Sequence, residues 1–226
     1  MRSILLSIEI FKKQKTDIMR NKQQLILFFI FPIMALFYTM MEHEQSSYYL
    51  FMLMCSIMVP IMCVASTISE ENERGTLRSL IYAGICSYEY FMGIGMCIGL
   101  LCFISICIVG MISGDSSSVG IVLVMMGVSI IISSLIGALI GTVTKSQVNV
   151  SAIAAPCSLV LGMLPVIGLM TKTVHNITQY AYSQIVLDVV MEKHITTQQI
   201  MLLVVNFLIF FVLFVVTYRK SALVNK

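Results

Sequence analysis

Charged residues are confined to the gaps between six long apolar runs, at about 24–41, 48–68, 91–112, 119–143, 150–170 and 200–217. A hydrocarbon core of about 30 Å takes roughly 20 helical residues at about 1.5 Å each, so each run predicts one transmembrane helix. Residues 2–21 read differently. There Ile4, Leu5, Ile8, Phe11, Ile18 and Met19 recur at helical spacing among Lys12, Lys13, Lys15 and Arg20, which predicts an amphipathic helix within 1–22 lying in the inner interface. The stretch 171–199 is also too polar to span. Its Ile177, Tyr180, Ala181, Gln184, Ile185, Leu187 and Val189 suit a short, shallow outer helix, and Pro165 is the expected break that starts this outer re-entrant segment. The fold expected is an all-α membrane protein, with residues 1–226 as a single transmembrane domain.

Composition adds that no sizeable soluble domain fits beside these spans. Of 226 residues, 58% are hydrophobic and 11% charged, against roughly 25% charged in a soluble domain. The net charge is only +3, but its placement sets an orientation. Arg2, Lys12, Lys13, Lys15, Arg20, Lys22, Arg74, Arg78, Lys145, Arg219, Lys220 and Lys226 occupy one alternating set of gaps, leaving Lys172 and Lys193 to the other set, which holds Glu42, Glu44 and Asp115. Both termini are therefore expected in the cytoplasm, in a plasma-membrane protein. Nucleic-acid binding is disfavoured because the basic segment is short and runs straight into a span.

Several features carry no chemistry of their own. The seven cysteines lie mostly inside apolar runs and read as small buried hydrophobes. Residues Ser129, Ser133, Gly137 and Gly141 form a small-residue stripe on the fourth span, suited to close helix packing, with a dimer seam or substrate groove as the sharper alternative. His43, His175 and His194 lack metal-ligand spacing. The segment Gly141-Thr142-Val143-Thr144-Lys145-Ser146 ends like a phosphate loop, but Thr144 stands where the motif needs glycine. No ionisable residue interrupts a span. That argues against ion-coupled transport, and the lack of any acid, base or metal-ligand set disfavours an intramembrane enzyme.

The loop 69–90 is the informative stretch. In Ser69-Glu70-Glu71-Asn72-Glu73-Arg74-Gly75-Thr76-Leu77-Arg78-Ser79-Leu80, three acids and two bases crowd a span end, and Leu77, Leu80 and Ile81 then mark one apolar face of a short helix. Such a helix can lay its apolar face in a groove on a soluble partner while the charges fix its register.

The run Glu70 to Leu77 resembles the loop of type-2 ABC transporter permeases, where an acidic stretch and Gly-Thr-Leu introduce the coupling helix. The layout of interfacial helix, six spans, inward termini and outer re-entrant segment is similar too, and the likeness covers nearly the whole chain. There is no large outer domain, which disfavours members that act through one.

The resemblance implies the permease subunit of a small ATP-driven exporter. It implies a second permease subunit as homo- or heterodimer partner, and a cytoplasmic ATP-binding subunit carrying ATP and Mg. No cofactor and no catalysis are expected on this chain. Glu70, Glu71 and Glu73 are expected to order the coupling helix or touch the partner, Arg74 and Arg78 to set docking charge, and Gly75 and Thr76 to lead into it. Leu77, Leu80 and Ile81 are expected to supply the buried contact. Small outer loops favour a hydrophobic or amphipathic peptide, drug or antibiotic as cargo. The alternative is a non-transport membrane scaffold or regulatory subunit.

Overall fold

A computed structural model describes residues 2–39, 45–113, 119–144 and 146–223. Glu42, His43, Glu44, Asp115, Lys145 and Lys226 lie outside the described residues. Among those described, all regular structure is helical, in the order α1 Arg2–Arg20, α2 Lys22–Thr39, α3 Gln45–Glu73, α4 Thr76–Tyr82, α5 Ser87–Ser113, α6 Val119–Val143, α7 Gln147–Met170, α8 Lys172–Thr178, α9 Tyr182–Glu192 and α10 Thr197–Leu223. Five of them, α3, α5, α6, α7 and α10, are each long and apolar enough to cross a membrane. The count reaches six if α1 and α2, which meet at a 72° bend, form one broken span.

Helices α3 and α6 make the centre of the bundle. Most of the apolar stretch of α3 is buried, whereas that of α10 is only 11% buried, so α10 shows its apolar surface to the surroundings as a lipid-facing helix does. The α3–α6 contact is close because of the small-residue stripe. A Cβ added at Gly137 would stand 2.7 Å from the Ile61 carbonyl oxygen, and one at Gly141 would stand 2.8 Å from that of Ala65. At the same seam the Ser56 hydroxyl donates to Ser129 Oγ at 2.9 Å. Ser133 shares a hydrogen bond of 2.9 Å with the Tyr182 hydroxyl of α9. The stripe therefore serves packing inside one chain, where glycine lets backbones meet and serine closes hydrogen bonds that hydrocarbon cannot supply.

Two segments differ from their expected form. α7 runs unbroken through Pro156 and Pro165 to Met170, and the chain turns at Thr171, whose backbone is extended (φ −140°, ψ 124°). Pro165 is thus not the break. A proline removes one helical hydrogen bond, and α7, though mostly exposed, keeps Pro165 itself buried against its neighbours, where the loss is tolerated. The second case is α9, which is not a shallow surface helix. Every residue from Tyr182 to Leu187 is buried, against α3, α6, α7 and α10. Gly168 leaves room for this approach, since a Cβ there would press on the side-chain amide of the buried Gln184.

Candidate functional site

At the bundle end where α3 finishes, the polar residues of the 69–90 segment gather around Glu71. α3 does not stop with its apolar run but continues through Glu73, because its last charged side chains all find partners. Glu70 pairs with Arg74 at 2.6 Å, one turn apart. Glu73 accepts from the Gln147 backbone N–H at 2.8 Å, and Asn72 donates to the Thr144 carbonyl at 2.8 Å. These bonds tie the end of α3 to the start of α7 and the end of α6.

Glu71 is almost fully buried. Its carboxylate accepts from Lys13 Nζ of α1 at 2.5 Å and from the Tyr90 hydroxyl of α5 at 2.6 Å. A buried carboxylate is tolerated only with such partners. One residue therefore joins α1, α3 and α5. Beside it Thr67 Oγ1 accepts from Gln14 Nε2 at 3.1 Å and from Gln24 Nε2 at 3.5 Å, which adds α2 to the same network.

Gly75 then turns the chain with φ +72° and ψ 2°, a left-handed conformation that suits glycine. The Thr76 hydroxyl donates back to the Glu71 carbonyl at 3.0 Å, and α4 follows. Leu77 has no exposed surface, and Leu80 and Ile81 are half-buried against the core. The expectation that these three supply a contact to a partner is corrected accordingly for Leu77. Helical spacing marks a face for burial, but this chain buries that face itself, against α3 and α10. Tyr82 at 78% exposure, with Ser79 and Ala83, forms the outward side. Arg78 is half-buried.

The start of α5 completes the end. Glu89 Oε2 accepts from the Cys86 N–H at 3.0 Å, a capping contact that satisfies a donor ahead of the first turn. The Tyr218 hydroxyl of α10 donates to the Ile85 carbonyl at 3.4 Å, and its ring lies 5.5 Å from that of Tyr90. Lys13, Tyr90, Tyr218, Gln14, Gln24 and Thr67 had no motif to single them out. The available signal was weak: polar side chains at the margins of apolar runs.

A second polar cluster sits at the opposite end. Gln184, fully buried, donates to Asp188 Oδ1 at 2.8 Å and meets His175 Nδ1 at 3.3 Å. His175 Nε2 stands 4.0 Å from Asp188 Oδ2. Burial pushes the Asp188 carboxyl above its ordinary value, opposed by the Gln184 hydrogen bond and by His175. Among the described residues no three His, Cys, Asp or Glu side chains could hold a metal ion, and Cys86 is the exposed cysteine. An apolar groove of about 480 Å³ runs between α5, α6 and α10, past Met92, Met96, Phe207 and Phe211. No protein-family model matches the chain, and no curated protein matches it.

Proposed function

We propose that the chain is the membrane-spanning permease subunit of an ATP-driven exporter of the type-2 ABC kind, working as a dimer with a second permease subunit. ATP and Mg belong to a cytoplasmic partner. The observation that carries this reading is α4: a seven-residue helix held to the bundle by Leu77 on one side, with Tyr82 exposed on the other. A short helix braced in this way transmits a push instead of absorbing it. Force on its outer side reaches α3 and α10, the helices it packs against. Through Glu71 it reaches α1 and α5 as well, and access states exchange by rigid shifts of packed helices.

In this reading the end bearing α4 faces the cytoplasm, α1 lies in the inner interface, and α8 with α9 forms the outer re-entrant segment. The basic residues of that end, including Lys13, Arg74, Arg219 and Lys220, support the orientation. The cargo is hydrophobic or amphipathic, for which the apolar groove along α5, α6 and α10 is a suitable surface.

The test is copurification of an ATP-binding protein from the native membrane, followed by cargo-stimulated ATP hydrolysis in liposomes. Tyr82→Asp combined with Ser79→Asp leaves insertion intact and abolishes both copurification and stimulated hydrolysis, since two carboxylates cannot enter an apolar interface unpaired. Normal copurification and normal export by this variant refute docking through α4. Partner binding without any export assigns the chain to the scaffold class.

A further inference from the structure

A cavity lies between the bent pair α1–α2 and the end of α3, an open space of about 630 Å³. Its walls carry Lys13, Lys22 and Arg74 against Asp17, Glu70 and Glu71. Among the described residues the three bases of its walls balance the three acids, a lining that offers both an anion and a cation a partner. Four of the six charges are already paired, Lys13 with Glu71 and Arg74 with Glu70. Among the described residues Asp17 and Lys22 form no ion pair. The floor is polar as well: Gln14, Gln24 and Thr67, each at least nine-tenths buried, hold one another there.

The cavity's position along the spans identifies the source of such a ligand. It opens where α2 begins and α3 ends, the level at which apolar helix surface gives way to charged residues. Directly along α2 from Lys22, at helical spacing, follow Ile26, Phe29, Ile30, Ile33 and Phe37, all 41–66% exposed. A cation above an exposed apolar stripe matches a phosphate above an acyl chain.

We propose that this cavity binds the headgroup of a zwitterionic, primary-amine phospholipid, a phosphatidylethanolamine of the surrounding bilayer. Lys22 takes the phosphate, Asp17 takes the ammonium, and an acyl chain lies along the α2 stripe. The ammonium of this lipid donates hydrogen bonds to a carboxylate, which a trimethylammonium cannot do. An anionic glycerol headgroup carries no ammonium to offer Asp17. The lipid would fill the angle of the α1–α2 bend and hold α1 in place beside Glu71. The inference rests on membrane insertion and not on the transport reading.

The test uses the purified full chain in detergent, with dioleoyl phosphatidylethanolamine, phosphatidylcholine and phosphatidylglycerol added separately so that the acyl chains are the same. Bound lipid is read by native mass spectrometry and the shift in unfolding temperature is read alongside. Phosphatidylethanolamine should bind about tenfold more tightly than either other lipid, the worth of one charge-assisted hydrogen bond network. Asp17→Asn and Lys22→Gln are both at exposed positions; the first should bring the three lipids to parity, and the second should weaken all three, since each carries the phosphate. Equal retention of all three by the unaltered chain overturns the proposal, as does preference for phosphatidylglycerol. Undiminished phosphatidylethanolamine preference in Asp17→Asn overturns it too, as does undiminished binding of all three lipids in Lys22→Gln. Dimerisation over the α2 stripe in place of lipid uptake, read in the same spectra, counts against it.

Discussion

Gly137→Ala and Gly127→Ala make the same chemical change ten residues apart on α6, and the structure assigns them opposite signs. At Gly137 the new methyl would stand 2.7 Å from the Ile61 carbonyl oxygen, 3.0 Å from its Cα and 3.1 Å from the Pro60 carbonyl. All three atoms are backbone, so no rotamer change relieves the contact. α3 must retreat by about 0.7 Å to restore ordinary van der Waals distance. Overpacking of this kind costs about 1–3 kcal/mol, and the gain in helix propensity returns about 1 kcal/mol. The net loss is about 1 kcal/mol, and it is deepened if the retreat stretches the Ser56–Ser129 bond on the same seam.

At Gly127 a Cβ meets nothing within 4 Å. Only the propensity gain of about 1 kcal/mol remains there. The two variants should therefore differ by about 2 kcal/mol, some thirtyfold in the folding equilibrium. Reversible unfolding in mixed micelles, followed by helical circular dichroism, reads this difference. A Gly137→Ala protein at least as stable as the unaltered chain would refute the close α3–α6 seam. So would a Gly127→Ala protein that falls below it.

Leu77→Ala should cost about 2–5 kcal/mol because its side chain is wholly inside the chain, whereas Tyr82→Ala should change stability by less than about 0.5 kcal/mol; unfolding in micelles separates them. Glu71→Ala strands the buried Tyr90 hydroxyl and should cost about 1–3 kcal/mol. Glu71→Gln keeps an acceptor and loses only the charge of a pair whose lysine is half exposed, about 1 kcal/mol or less, by the same assay. Because burial raises the Asp188 carboxyl above the ordinary carboxylate pKa, its stabilising contribution is full below that ordinary value and is lost as pH rises through the raised one. Asp188→Asn should remove this fall and leave the protein more stable at neutral pH; a pH series of unfolding midpoints checks the slope. A membrane-impermeant maleimide should label Cys86 in inside-out vesicles and not in intact cells, and the reverse pattern refutes the proposed orientation.

Hydrophobic spacing by itself determined the all-helical class and the positions of the long apolar helices, because a bilayer leaves backbone polar groups no partner except their own helix. It also placed a short helix after Gly75, since an amphipathic period and a glycine break are local signals. What covers a face is not a local property. The spacing of Leu77, Leu80 and Ile81 marked a side to bury, and only the packing of α4 on α3 and α10 showed that the chain itself does the burying. Glu71 read as one acid among three, yet it alone meets Lys13 and Tyr90, residues 58 and 19 positions away. Pro165 looked like a break, but whether a helix survives a proline depends on the neighbours that hold it. The polar-looking segment after it yielded a buried helix because Gly168 lets Gln184 approach and Ser133 meets Tyr182. Those pairings join distant parts of the chain, and only the tertiary structure brings them together.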